Sequence, residues 1–396
     1  MQYFSFLPEG ERRSLFSQPP LSFDRDTPLE MLRNAVGALL YTPASNPDIA
    51  QTVLTGKIQG LTSLAICLED AVGDAARQDC MVNAKAQIAT LSTALQSGAL
   101  PPGRLPLLFL RVKDNDMLEE LGGFLAEHSA VVAGVILPKA DDARLERGLA
   151  LTAQIHRQAD HPFYLMPILE SRVLMETGDR IGLLRALRVL TDQYYGRVLN
   201  IRLGATDLCG LYGIRREMDT PIYSVGVVAG CIADVVRVFG LDGRYTVSGP
   251  VWEYFRTRPS ALATGRWEEI HGLLQEVALD LQNGILGKTC VHPAQLLPVQ
   301  ASLVVSAEAL QDAVTILCGN QACDGVLSST SRNKMNELKP HTLWARKIMR
   351  RAQVYGVYAG HIDTTSFLSA LYNAKSPPIR QRMQIAVGQP PVGITF

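Results

Sequence analysis

The sequence predicts a (β/α)8 barrel, of the α/β class, with an N-terminal extension and a helical C-terminal region. Three observations carry this. Eight short apolar runs recur between residues 38 and 291, and helix-patterned segments separate nearly all of them. That alternation marks strand–helix–strand units, whose strands must be parallel. The runs are apolar throughout, as strands buried on both faces are. No glycine-rich phosphate loop follows the first run, which lowers the rival arrangement, an open doubly wound sheet.

Residues 1–36 are mixed in character, with Pro19-Pro20 and the turn-like DRDTP at 24–28. They read as an extension with one helix near 29–36. Strands are expected at 38–42, 64–68, 107–112, 133–137, 163–169, 198–203, 244–248 and 287–291. The clearest helices between them fall at 75–96, 142–158, 171–190 and 221–239, so the barrel occupies 37–300. After about residue 297 the pattern changes. SAEALQDAVTILC, HTLWARKIMRRAQVYGV and TTSFLSALYNA read as helices joined by an Asn/Ser/Gly-rich stretch. Residues 301–396 are therefore expected to be helical, with a tail too rich in Pro and Gly for a long element.

Composition narrows the function. The chain has 396 residues, 47% hydrophobic and 19% charged, which supports a sizeable core and argues against disorder. Lys+Arg and Asp+Glu both number 38, so the charge balance gives no sign of a nucleic-acid or membrane partner. The start, MQYFSFLPEGERRS, lacks the basic stretch and apolar core of a signal peptide, and no apolar run nears the roughly 18 residues of a membrane span. The seven cysteines are scattered without a CxxC pair. Most lie in apolar or helical runs and read as reduced core residues of a cytoplasmic protein.

In such a barrel the catalytic candidates lie at the carboxyl ends of the strands. The fifth and sixth runs, PFYLMPILES and VLNIRLGATDL, end in Glu170 and Asp207. Parallel strands bring both acids to one edge, where they repel each other unless a cation lies between them. Our reading is a divalent metal, Mg2+; the plain alternative is helix N-capping. The first strand ends in YTPASNP, placing Ser45 and Asn46 at the mouth as substrate-binding candidates, or as parts of a rigid turn. The second ends in the paired acids Glu69 and Asp70, one more than capping needs. The third ends in Arg111, a rim residue with its charge in water or a clamp for a carboxylate. The fourth gives Lys139 after Pro138. A Schiff-base role would require a desolvated lysine, and the neighbouring Asp141 and Asp142 favour a solvated, ion-paired one that can meet substrate. GKTCVHPAQ closes the barrel, with Lys288 at its start and His292 either a turn residue or a catalytic one. The histidines show no HxH or HExxH spacing for zinc.

LLYTPASNP, LEDAV, the LR at Arg111, GVILPKAD, ILES, GATDL and GKTCVHPAQ occur in that order over residues 37–300. In this the chain resembles the citrate lyase β-subunit-like family, within the wider group of HpcH/HpaI-type aldolases. The stretch NKMNELKPHTLWA resembles a subgroup found beside tellurite-resistance and stress-response clusters. The resemblance implies a TIM barrel that makes or breaks a carbon–carbon bond next to a carbonyl with Mg2+ as cofactor. It implies Glu170 and Asp207 as metal carboxylates and Arg111 as the substrate-carboxylate binder. It makes Asp70 an outer acid that orients metal-bound water, with Glu69 beside it.

The expected substrate is then a small 2-oxo or hydroxy acid, free or as its CoA thioester, cleaved through a metal-stabilised enolate by a homo-oligomeric enzyme. Phosphoenolpyruvate- or isocitrate-type chemistry would call for a KKCGH-like loop, and the sequence has none. From another class, the chain could keep the barrel but not turnover, as a ligand-binding or stress-response scaffold.

Overall fold

The computed structural model describes residues 1–69, 77–176, 178–255, 268–319, 326–329 and 331–373. A short strand, β1 (Phe16–Gln18), precedes the barrel. The eight expected strands follow as β2 (Ala38–Pro43), β3 (Ser63–Cys67), β4 (Leu107–Arg111), β5 (Val132–Leu137), β6 (Tyr164–Leu169), β7 (Ile201–Leu203), β8 (Val247–Ser248) and β9 (Lys288–Cys290). They form one sheet in the order β8-β7-β6-β5-β4-β3-β2-β9, with every neighbouring pair parallel. A parallel bridge between Gly249 and Lys288 brings its two ends together. Every residue of β3 through β7 is buried, the physical reason those runs carry no polar alternation.

Aspartates start several of the crossover helices. Asp114 accepts the Met117 N–H at 3.0 Å to begin Asn115–Glu127, and Asp141 accepts the Arg144 N–H at 3.0 Å to begin Asp142–Gln158. Asp141 thus serves as a cap rather than as the partner expected for Lys139. The helix expected at 171–190 is two pieces, Val173–Glu176 and Arg180–Gln193. Asp179 accepts the Gly182 N–H at 2.8 Å and starts the second piece, since a capping side chain satisfies an N–H that a continuing helix would leave to its own carbonyls. The expected 221–239 helix begins later, at Gly226–Phe239, after a short turn of 3-10 helix.

The C-terminal region contains the helices Ala307–Gly319, Leu338–Tyr355 and Thr364–Asn373. It also contains strands that the sequence did not reveal. β10 (Val326–Ser328) and β11 (Met335–Glu337) form an antiparallel pair, and β12 (Val357–Tyr358) pairs antiparallel with β1. The first residues of the chain reach the amino ends of the barrel strands. Tyr3 Oη donates to the Ala35 carbonyl at 2.9 Å, Tyr355 Oη donates to that of Asn34 at 2.5 Å, and the two rings lie 4.6 Å apart. Arg33 is buried and donates to the carbonyls of Val198 and Tyr195, seating the helix Leu29–Ala35 below β7.

At the start of β9 the Lys288 ammonium is fully buried. It donates to Glu276 Oε1 at 2.7 Å and to Asp280 Oδ2 at 2.9 Å. Arg216 pairs with the same Glu276 at 2.5 Å, and Tyr223 Oη donates to Asp280 at 2.6 Å. His292 caps the turn after β9, its Nδ1 accepting the Ala294 N–H, and its ring stacks on Phe255. Cys67, Cys80, Cys209, Cys231 and Cys290 are buried free thiols, and Cys318 is exposed. Among the described residues no helix is long and apolar enough to cross a membrane.

Candidate active site

The carboxyl ends of β3 to β7 bring together Glu69, Arg111, Lys139, Glu170 and Asp207. Arg111 closes β4 with its side chain mostly buried. Its Nη2 lies 2.5 Å from Glu69 Oε2 and 3.5 Å from Glu170 Oε1, and its guanidinium sits 5.7 Å from the centre of the Tyr41 ring. Lys139 follows β5 with φ at +52°, a left-handed backbone uncommon for a residue other than glycine. That turn points its N–H at Glu170 Oε1, 3.2 Å away. Its ammonium lies 2.8 Å from Glu69 Oε1 and 3.8 Å from Asp207 Oδ1. Local backbone strain of this kind persists where surrounding contacts over-determine it, often at functional sites.

Glu170 is the central acid and is only 4% exposed. Burial pushes its carboxyl up, to about 8; Arg111 pulls it down, and Asp207 and Glu69 push it further up. Neither Glu170 nor Asp207 acts as a helix cap: Glu170 faces Arg111 and the Lys139 N–H, and Asp207 lies within the first turn of Ala205–Gly210. Gly204 makes room for Glu170. A Cβ built on Gly204 would fall 2.5 Å from the Glu170 Cβ and 2.6 Å from its Cδ. Gly204→Ala is therefore expected to displace the Glu170 carboxylate and lower kcat about a hundredfold, since an ångström of misplacement costs that much. Steady-state rates beside an unchanged far-UV circular dichroism spectrum check it, and a normal kcat would show that the clash relaxes elsewhere.

A cavity of about 200 Å3 opens beside these groups, lined by Tyr41, Arg111, Glu170, Arg202, Asp207 and Thr289 among others. Ser45 and Asn46 do not line it. Asn46 Oδ1 accepts the Asp48 N–H at 3.0 Å and its Nδ2 donates to Thr42 Oγ1 at 3.2 Å, so its side chain shapes the turn after β2. Asp70 lies outside the described residues. Sequence reasoning passed over Arg202, Tyr41 and Gly204. The signal for Arg202 was present: a lone charge within the apolar run VLNIRL.

Among the described residues no three His, Cys, Asp or Glu side chains gather as a ligand cluster. Of the acids at the mouth, Glu170 and Asp207 are two carboxylates that could act as donors, the first raised partly by the second. That fits Mg2+, which is commonly held by one or two carboxylates with water and substrate filling the octahedron.

The family model described as "C-C_Bond_Lyase of the TIM-Barrel fold" matches residues 30–357. The chain belongs to that family. It is thus a carbon–carbon bond lyase, as the ordered motifs led one to expect. Similar solved structures include the protein CitE from Mycobacterium tuberculosis in complex with magnesium, acetoacetate and coenzyme A. It is 19% identical, the match covering 81% of this chain and 99% of that one, with a TM-score of 0.48. The lead(II) complex of Haloferax volcanii malate synthase is 13% identical over 67% of this chain and 72% of that one, with a TM-score of 0.49. An HpcH/HpaI aldolase from Desulfitobacterium hafniense DCB-2 is 12% identical over 65% and 86%, with a TM-score of 0.40. No curated protein sequence matches the chain.

Proposed function

We propose that this lyase uses Mg2+, held by Glu170 and Asp207, to cleave or form a carbon–carbon bond in a small 2-oxo or hydroxy acid, free or as its CoA thioester. One observation carries the reading: a buried carboxylate, pushed up to about 8 and crowded by two further acids, at the mouth of a lyase barrel. A divalent cation would relieve that crowding. When bound, the ion supplies Lewis-acid polarisation of a carboxylate and its neighbouring carbonyl oxygen.

The protein's own groups do the rest. As the bond breaks, its electron pair stays on the carbonyl side, and Arg111 balances the charge that develops there. Burial works against the charge on Arg111, yet Tyr41, Cys67, Glu170 and Glu69 outweigh it and keep the guanidinium protonated. Lys139 ties Glu69 to Asp207 and, through its N–H, fixes Glu170. Glu69 in turn orients Arg111. Asp70 is assigned the orientation of a water molecule for proton transfer.

The test is turnover of a panel of 2-oxo acids, hydroxy acids and their CoA thioesters with and without Mg2+. Cleavage that vanishes in EDTA and returns with Mg2+ is expected; cleavage indifferent to EDTA would sink the metal reading.

Proton linkage gives an independent check. In the metal-free protein burial and the neighbouring acids favour the protonated form of Glu170, its carboxyl pushed up to about 8. Mg2+ needs the carboxylate, so binding must release that proton. Apparent Mg2+ affinity is expected to fall about tenfold from pH 7 to pH 6 and to level off above pH 8. Calorimetry at pH 7 in two buffers of different ionisation enthalpy should give different heats, converging at pH 9. Equal heats at pH 7 would contradict a protonated Glu170.

A further inference from the structure

Arg202 lies on β7 beside Ile168 of β6 and is 1% exposed. Its Nη2 donates to Thr289 Oγ1 at 2.6 Å. Its Nε and Nη1 are buried without a hydrogen-bond partner, and among the described residues no carboxylate comes within 4.0 Å of it. A guanidinium cannot shed its proton to escape burial, and a buried charge without a counter-charge is strongly unfavourable. It faces the same cavity of about 200 Å3 as Glu170, Asp207 and Arg111.

The two arginines differ in what already meets them. Arg111 is paired with Glu69 and Glu170. Arg202 has one neutral hydroxyl. The buried Tyr41 phenol, which lines the cavity with them, feels the charge of both guanidiniums. The barrel interior therefore holds a cation whose counter-charge no described residue supplies.

We propose that Arg202 receives a second anionic group of the substrate, so that the acid cleaved here is a compact dicarboxylate. One end engages the Glu170 and Asp207 side of the cavity, and the distal carboxylate rests on Arg202. The cavity lies below the roughly 300–1,000 Å3 of pockets for drug-sized ligands, which limits the acid portion to a few carbons. This deepens the metal-dependent reading above and rests on it for the position of the first carboxylate.

The experiment uses the full chain with acids matched in carbon number that differ only in a terminal carboxylate: 2-oxoglutarate against 2-oxopentanoate, and oxaloacetate against 2-oxobutanoate. Dissociation constants are measured by calorimetry with Mg2+ and again in EDTA, and Mg2+ alone is titrated separately. Wild type is expected to bind the dicarboxylate of at least one pair tenfold or more tightly. Arg202→Met should abolish that preference while still binding Mg2+, and Arg202→Lys should keep part of it. Mg2+ binding with no preference in wild type for either pair overturns the proposal, whatever the variants do. A preference that survives in Arg202→Met also overturns it, by assigning the distal carboxylate to another cation. If Mg2+ fails to bind, yet the preference persists in EDTA and disappears in Arg202→Met, Arg202 stands and the metal reading falls.

Discussion

Glu170→Gln is expected to lower Mg2+-dependent turnover by about a thousandfold or more, because it removes a proposed metal carboxylate and a neighbour of the Arg111 guanidinium together. The change is nearly isosteric, so the barrel should fold as before. Mg2+ titration by calorimetry is the direct measurement, and an affinity equal to wild type would remove Glu170 from the metal site. Stability supplies a second signature. In the unfolded chain the carboxyl returns to its ordinary value near 4.3, whereas in the fold it lies at about 8. Between those values the native state keeps a proton that the unfolded state has released. The stability of the metal-free wild type therefore falls as pH rises through that window. Glutamine does not titrate, so the variant should gain in Tm relative to wild type at pH 8.5 compared with pH 5. Parallel Tm curves across that range would mean that Glu170 is not raised in the apo fold.

The barrel was legible because burial on both faces leaves a strand no choice of polar alternation, and all eight runs became strands. The mouth was legible for the same reason. Once parallel strands are granted, residues that end them must converge, and Glu69, Arg111, Lys139, Glu170 and Asp207 do. Less local features were hidden. Phe16 pairs with Tyr358 across almost the whole chain, and no short-range pattern announces such a partner. The break before Asp179 was masked by apolar spacing that runs across it; an aspartate inside a helical pattern was the clue to a new cap. Ser45 and Asn46 follow a strand end like the others, yet the prolines around them turn the chain aside and the Asn46 amide is used within that turn. Arg202 was hidden within a run read only for its apolar character.

These pieces are mechanically connected. Glu69 orients Arg111, Lys139 ties Glu69 to Asp207, and Gly204 lets Glu170 approach the β7 backbone. Two residues before Gly204, on β7, stands Arg202, held by Thr289 of β9. The Glu170 and Asp207 carboxylates and the Arg202 guanidinium thus all border β7, and their geometry depends on how firmly β9 is fixed in the barrel.

That anchoring yields the largest expected loss of stability. Lys288→Met should destabilise the fold by about 3–5 kcal/mol, the usual cost of removing one partner from a buried ion network. Methionine fills much the same space, so the loss comes from the acids left behind. Glu276 retains Arg216 and the Ile222 N–H, but among the described residues Asp280 keeps only the Tyr223 hydroxyl of the side chains that now hold it. Burial already pushes the Asp280 carboxyl up, with Lys288 opposing; without the ammonium it must rise further. A raised acid favours the native state at low pH and costs stability as pH rises. The deficit of Lys288→Met should therefore be larger at pH 8 than at pH 5, and Asp280→Asn in that background should recover part of it. Urea midpoints at the two pH values measure this. A deficit independent of pH and untouched by the second substitution would show that lost packing, not an abandoned charge, sets the cost. Because Thr289 is the next residue, a loosened β9 should also weaken dicarboxylate binding in Lys288→Met under conditions where the variant remains folded.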